Sequence, residues 1–298
     1  MMKAKANIGF TSRRRGWPAH GWLGLGLVVT FWILNWSLSG LRSHWTFFPL
    51  WLGYCLTVDA LVVARKGNSL LTRDPRAYAG LFLVSAPAWW LFELMNWRTQ
   101  NWYYDGRHLF TNLQYFVLAS FSFSTVMPAV FGAAELVGTF NWLKRIKRGR
   151  VIVPKPLTLL ALFTTGCAML VLTLSWPRYF FPFVWISVYL VLEPLNVWLG
   201  NRSLIQYTAE GDWRPALALW AGCLICGFFW EMWNFYSSPK WMYQLPYANF
   251  LHVFEMPLLG YGGYIPFSLE LFALYHLITG LLKPGESQDF VQVLPDDG

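Results

Sequence analysis

The 298-residue chain is predicted to be an all-α polytopic membrane protein, with about eight transmembrane helices as two parallel four-helix repeats. Composition, the length of the apolar runs and an internal self-similarity lead there. Hydrophobic residues make up 56%, aromatic residues 19% and charged residues only 13% of the chain, where soluble domains carry about 25% charged. So few charges cannot cover a water-exposed surface. That inventory excludes a secreted disulfide scaffold, a disordered chain and a soluble nucleotide enzyme.

Residues 1–16 read as a basic cytoplasmic tail. Arg13 to Arg15 stand before an apolar stretch, as in a secretory signal, but the stretch is span-length and no small-residue cleavage site closes it. It reads as an uncleaved first helix. In the first repeat, residues 17–140, runs long enough to cross a bilayer fall at Trp22 to Gly40, Trp45 to Ala64, Ala77 to Asn96 and Leu113 to Thr139. Residues 141–156 form a basic cytoplasmic linker. The second repeat, residues 157–282, holds Leu157 to Leu174, Tyr179 to Leu199, Pro215 to Asn234 and Asn249 to Leu271, and residues 283–298 close the chain as a cytoplasmic tail. Lipid offers no partner to backbone groups, so these unbroken runs must be helices; they lack the alternation of barrel strands.

Orientation follows from the basic residues. Of the 23, all but Arg42, Arg98, Arg107, Arg178 and Lys240 fall on one side of the eight runs. The positive-inside rule then puts both termini in the cytoplasm, with the chain integral to a bacterial cytoplasmic (inner) membrane. The net charge of +8 therefore records topology and contact with membrane lipids, not a nucleic-acid partner. Cys55, Cys167, Cys223 and Cys226 all lie inside spans, and the Cys223–Cys226 pair reads as small-residue helix packing.

The self-similarity has an offset near 134 residues. Phe47-Phe48-Pro49 with Trp51 recurs as Phe180-Phe181-Pro182 with Trp185; Asp59 recurs as Glu193; Gly67-Asn68 recurs as Gly200-Asn201. Glu93 and Asn96 match Glu231 and Asn234, and Pro128 matches Pro266. Repeats of this kind place a site at the interface of the halves.

Asp59, Glu93, Glu135, Glu193, Glu231, Glu255 and Glu270 all fall inside the expected spans, where no Lys or Arg joins them. A charged group at a helix centre costs about 2.5–3.5 kcal/mol, so intramembrane acids are expected to be functional or tightly bonded. Glu93, Asn96, Glu231, Asn234 and Glu255 are the candidate catalytic residues, with Asn96 and Asn234 orienting the acids and His252 converging on them in one leaflet. For Asp59, Glu193 and Glu135, on the opposite side, capping and interfacial pairing is the plainer reading. Trp102 and Tyr104 follow Glu93 at nearly the spacing at which Trp241 and Tyr243 follow Glu231. Such duplication suggests a folded-back aromatic wall that holds an apolar or cationic guest. Tyr261, in Gly260-Tyr261-Gly262-Gly263, joins these as a substrate-binding candidate; the glycines are expected to loosen the last helix in mid membrane. No metal or nucleotide motif is present.

This order of motifs resembles the small membrane lycopene cyclases of carotenoid synthesis. They too have tandem helical repeats, with a Trp-Asp pair on one helix, a Trp nine residues on, an aromatic eleven on, then a Pro and paired Glu on the next helix. Phe92-Glu93 with Trp102 and Tyr104 is similar to the first part, as is Trp230-Glu231 with Trp241 and Tyr243. Glu255 with Pro257, or Pro266 with Glu270, resembles the second. Here Glu replaces Asp, no Pro-x-Glu-Glu occurs, and each half has four helices instead of three. The chain is also similar to a broader group of bacterial multi-pass membrane proteins. The resemblance implies cyclase- or hydratase-like acid/base chemistry on an isoprenoid or other apolar lipid, with no cofactor and no metal. A proton-coupled transporter of a small lipid or organic solute, or a non-catalytic assembly protein, would use the same acids differently.

Overall fold

The computed structural model describes residues 16–40, 44–146, 149–284 and 288–294. The basic residues Lys3, Lys5, Arg13 to Arg15, Arg42, Lys147 and Arg148, used above for orientation, lie outside the described residues. The first half comprises α1 (Ala19–Ser37), α2 (Phe47–Lys66), α3 (Leu70–Arg73), α4 (Pro75–Thr99), β1 (Trp102–Asp105), α5 (Asn112–Phe123), α6 (Val126–Gly138) and α7 (Asn141–Lys144). The second comprises α8 (Pro156–Ser175), α9 (Pro177–Phe180), α10 (Val184–Trp198), α11 (Leu204–Ala209) and α12 (Arg214–Phe235). It ends with β2 (Lys240–Tyr243), β3 (His252–Val253), β4 (Met256–Pro257) and α13 (Tyr264–Leu282). The fold is all-α and polytopic, with two short strand pairs.

Seven segments among the described residues are long and apolar enough to cross a membrane, where eight were expected. The eighth is α1, whose His20, Asn35 and three glycines dilute its hydropathy. Gly21 and Gly24 serve packing instead. A Cβ on Gly24 would stand 2.7 Å from the backbone nitrogen of Thr57, so α1 and α2 approach at backbone distance, as small residues allow.

Two boundaries depart from the expected runs. The stretch after Leu113 breaks between α5 and α6, where Ser120, Ser122, Ser124 and Thr125 turn their hydroxyls back onto carbonyls three or four residues earlier. Such back-bonding competes with the helix. The last span is Leu258–Leu282, not Asn249 to Leu271. Residues 249–257 form a loop with the β3–β4 hairpin, and Gly260-Tyr261-Gly262-Gly263 is a 3-10 turn at the mouth of α13. The glycines thus precede the regular helix and do not interrupt it, and Pro266 falls in the first turn of α13, where a missing N–H is tolerated.

Asp59, Glu193 and Glu135 are capped and paired as expected, with partners drawn from helix ends and the segments beside them. Glu135, fully buried, takes Lys66 at 2.9 Å and both Nη atoms of Arg73 at 3.0 Å. It also accepts from the backbone of Gln292 at 2.8 Å. The chain near Gln292 is thereby tied to the bundle, with Val291 and Val293 buried. Asp59 lies 3.0 Å from His20 Nε2, and accepts from Ser69 Oγ at 2.7 Å and the Leu71 N–H at 3.0 Å. Glu193 accepts from the Ile205 N–H at 2.6 Å. Both acids therefore anchor the short helix that follows their own.

At the other end of the bundle the halves interlock. Trp51 of α2 packs on Trp230 of α12 with ring centroids 5.0 Å apart, while Trp185 of α10 stacks on Phe92 of α4 at 5.9 Å. Each half thus places its tryptophan on the residue that precedes the other half's acid, Glu231 or Glu93.

Candidate functional site

Glu93 stands on α4, where one turn of helix brings Trp89 back over it. The indole Nε1 of Trp89 donates to Glu93 Oε1 at 3.0 Å. The helix ends at Gln100, in the left-handed region with φ 53°, and the chain reverses into β1. Trp102 Nε1 and the Tyr104 hydroxyl then reach the same oxygen at 3.0 and 2.5 Å. Glu231 is built the same way on α12: its Oε1 accepts from the hydroxyls of Tyr243 on β2 at 2.6 Å and Tyr264 on α13 at 2.7 Å. Its Oε2 is buried and takes no hydrogen bond among the described residues.

The two strands pair with each other. β1 and β2 run antiparallel, with Trp102 opposite Tyr243 and Tyr104 opposite Trp241. Asn96 and Asn234 set this register without touching the acids. Asn96 donates to the Trp102 carbonyl at 2.8 Å and accepts from the N–H groups of Asn101 and Trp102 at 2.8 and 3.2 Å. Asn234 donates to the Trp241 carbonyl at 2.8 Å and accepts from its N–H at 2.9 Å. Each asparagine therefore satisfies strand backbone that would otherwise be unpaired at the helix end.

Behind the ladder lies a cavity of about 210 Å³, and Trp102, Tyr104, Trp241 and Tyr243 all line it. Trp89, Trp185, Trp230, Tyr264 and Phe267 complete an aromatic wall drawn from both halves. Trp185 stacks on Trp102 at 5.7 Å and meets the edge of Phe267 at 5.6 Å. Glu93 and Glu231 stand one side chain behind that wall, reaching the cavity through phenols and indoles. A phenol that donates to a carboxylate keeps its oxygen lone pairs for a guest. Burial pushes the Tyr104 and Tyr243 phenols well above their ordinary range, and the charges of Glu93 and Glu231 add to it.

Glu255 and His252 were expected on the last helix beside the other acids, and are not. Pro257 and the glycines after it hold this stretch ahead of the span, so Glu255 lies on the β3–β4 hairpin and ion-pairs with Lys240 of β2. His252 is exposed, with Nε2 3.1 Å from Asn249 Oδ1. Tyr261 donates to the Val253 carbonyl at 3.0 Å; neither His252 nor Tyr261 borders the cavity.

Several wall residues escape the motif reading. Trp185 carried a signal, because it repeats Trp51. Arg107 and Lys240 also line the cavity, and both belong to the five basic residues that break the charge asymmetry. Tyr115 and Phe267 carried no signal beyond being aromatic. A second hollow adjoins the first, sharing His44, Phe110 and Leu118 and extending along Leu113 and Val117 of α5. Those two side chains are 72% and 41% exposed, so the hollow opens on the apolar surface. No protein-family model, curated protein or solved structure matches the chain, which leaves its own residues to assign the site.

Proposed function

We propose that this protein takes one end of an isoprenoid-like lipid from the bilayer into the aromatic cavity and carries out proton transfer on it. This is cyclase- or hydratase-like acid/base chemistry of the kind the lycopene cyclase resemblance implies. The observation that carries the reading is the pairing of β1 with β2, which puts tyrosines bonded to two different acids into the wall of one cavity. A protonated carboxyl group beside a phenol can give its proton to the phenol oxygen as the phenol's own proton passes to a double bond, and the opposite acid, ionised, takes the proton lost from the cation back through its own tyrosine. Surrounding indole faces stabilise the positive charge that protonation of an alkene creates. A dry apolar cavity of about 150 Å³ holds benzene, so 210 Å³ accepts one ring or a short stretch of chain. The remainder of the lipid leaves along the α5 hollow. Glu93 and Glu231 act through the tyrosines, while Asn96 and Asn234 position the strands.

The two halves read as products of a duplication, in a cytoplasmic membrane with both termini on the cytoplasmic side. Matching bonds of Asn96 and Asn234, and of Asp59 and Glu193, support the duplication.

Deuterium incorporation tests the chemistry. Purified protein in D₂O-exchanged nanodiscs is given linear isoprenoid hydrocarbons, alcohols and phosphates, and products are followed by mass spectrometry. Wild type is expected to introduce carbon-bound deuterium, and Glu93→Gln, Glu231→Gln and Tyr104→Phe to lose at least 100-fold, within the range that general acid–base groups contribute. Binding without incorporation for every substrate would reject catalysis and leave a carrier.

A further inference from the structure

The cations of the cavity wall deepen that reading and rest on it. Lys240 is already neutralised by Glu255, at 24% and 15% side-chain exposure. Among the described residues no carboxylate pairs with Arg107. Its Nη1 donates to the Phe110 carbonyl at 2.9 Å, its Nη2 to Asn112 Oδ1 at 2.6 Å, and the guanidinium carbon sits 4.3 Å from the Tyr115 ring centroid. All three partners are neutral. They use two of the five N–H donors and leave three, in a planar fork that matches an oxyanion.

Arg107 is half-buried at an apolar cavity, where an uncompensated charge is unfavourable unless a counter-ion arrives. Its place is fixed from both halves. Gly106, with φ 83°, turns the chain out of β1 so closely against Pro239 that a Cβ there would stand 2.9 Å from that proline's Cβ. From Arg107 inward runs a continuous path: the Tyr115 ring lies 5.9 Å from that of Tyr104, whose hydroxyl bonds Glu93. A single ring, that of Tyr115, thus separates the charged end from the acid-bonded tyrosine.

We propose that the lipid is an anionic amphiphile, a single apolar chain ending in a phosphate or carboxylate, with its oxyanion on Arg107 and the first part of its chain among Tyr104, Trp102 and Trp185. The anion completes the charge of Arg107 and sets which end of the lipid meets Tyr104. A neutral hydrocarbon has no group for the guanidinium to hold.

Tryptophan fluorescence reports binding directly, because indoles line the cavity. Wild type in phosphatidylcholine nanodiscs is titrated with farnesyl monophosphate, farnesoic acid and farnesol, and with inorganic phosphate alone. At least one lipid anion is expected to bind tenfold or more tightly than farnesol. Arg107→Gln, checked for an unchanged melting temperature, should bring that anion down to the farnesol level and leave farnesol unaffected; Arg107→Lys should fall between. Preference for the phosphate over the acid, or the reverse, identifies the head. Equal affinity for anions and farnesol, a preference that survives Arg107→Gln, or binding of inorganic phosphate as tight as that of the lipid anion overturns the amphiphile while leaving the cavity reading standing. No binding of any of the three lipids sinks both.

Discussion

Tyr104 lies opposite Trp241 in the β1–β2 ladder, so the strand that follows Glu93 is zipped to the strand that follows Glu231. Neither acid's aromatic partners are positioned by one half alone. The ladder hangs from Asn96 and Asn234, and Asn96 is buried with three bonds to strand backbone. Asn96→Ala strips partners from buried groups, at about 1–3 kcal/mol for each one left unpaired. The expected result is a clearly lower unfolding midpoint by scanning fluorimetry in detergent, with ligand affinity falling alongside. Asn96→Asp keeps the acceptor oxygen but turns a second oxygen toward the Trp102 carbonyl in place of the donor, so its midpoint should fall as well, and less at acid pH, where a protonated carboxyl restores a donor. An alanine variant as stable as wild type would show that the ladder stands without its hanger.

Alkaline pH should unfold the same region. Burial, then the charges of Glu93 and Glu231, hold the Tyr104 and Tyr243 phenols well above the ordinary value of 10.0. A phenol whose pKa is higher folded than unfolded favours the fold while it keeps its proton. That contribution is complete below pH 10 and is lost as the pH climbs from there toward the folded value. Tyrosinate absorbance at 295 nm and helical circular dichroism, followed together, should show these two phenols ionising only as the structure opens, identified by difference from the Tyr104→Phe and Tyr243→Phe variants. Ionisation of both near pH 10 with the signal for helix intact would contradict their burial.

What could be read ahead of the structure divides along a physical line. Span-length apolar runs depend on composition, so seven of the helices were legible. The motif around Glu93 and Glu231 was legible because spacing from an acid survives as spacing in space when a helix end is followed at once by a short strand. Glu255 was misplaced because hydropathy alone extends a helix back from Leu271 across Pro257 and the glycines, whereas backbone chemistry starts it after them. Glu135 was read rightly as a paired acid but without its partners: Lys66 and Arg73 come from the ends of α2 and α3, and no local pattern announces a long side chain reaching inward. Arg107 was counted as a topological exception, although an exception to a charge rule is itself a signal of function.

Glu135 gives the sharpest stability test. Its carboxylate is fully buried and shared by Lys66, Arg73 and the Gln292 N–H, and breaking one side of a buried pair costs about 3–5 kcal/mol. Arg73→Ala leaves Lys66 on the carboxylate, so it is expected to destabilise by less, about 1–3 kcal/mol for the lost bonds, and to loosen the segment around Gln292, because Arg73 also bonds the Phe290 carbonyl. Limited proteolysis should then cut between 288 and 294 at protease levels that leave that segment of wild type intact. Intact protection with a lowered midpoint would place the whole effect on the helices and none on the terminal segment.

Gly106 separates backbone strain from close approach. Its φ of 83° lies in the left-handed region, where a side chain costs roughly 1–2 kcal/mol, and its missing Cβ makes room for Pro239. Gly106→Ala meets both obstacles, and the turn must back away from Pro239, carrying Arg107 with it. The expected outcome is a lower unfolding midpoint together with a loss of the preference for lipid anions, while farnesol binding is nearly unchanged because the aromatic wall remains. Gly106→Asn relieves most of the dihedral cost, since asparagine enters this region more readily than alanine, but still presents a Cβ to Pro239. If the asparagine variant regains stability yet still fails to prefer anions, the proximity of the two halves at this turn places the guanidinium. If it regains both, the dihedral alone was at issue, and Arg107 would be held by its bonds to Phe110 and Asn112 without help from the second half.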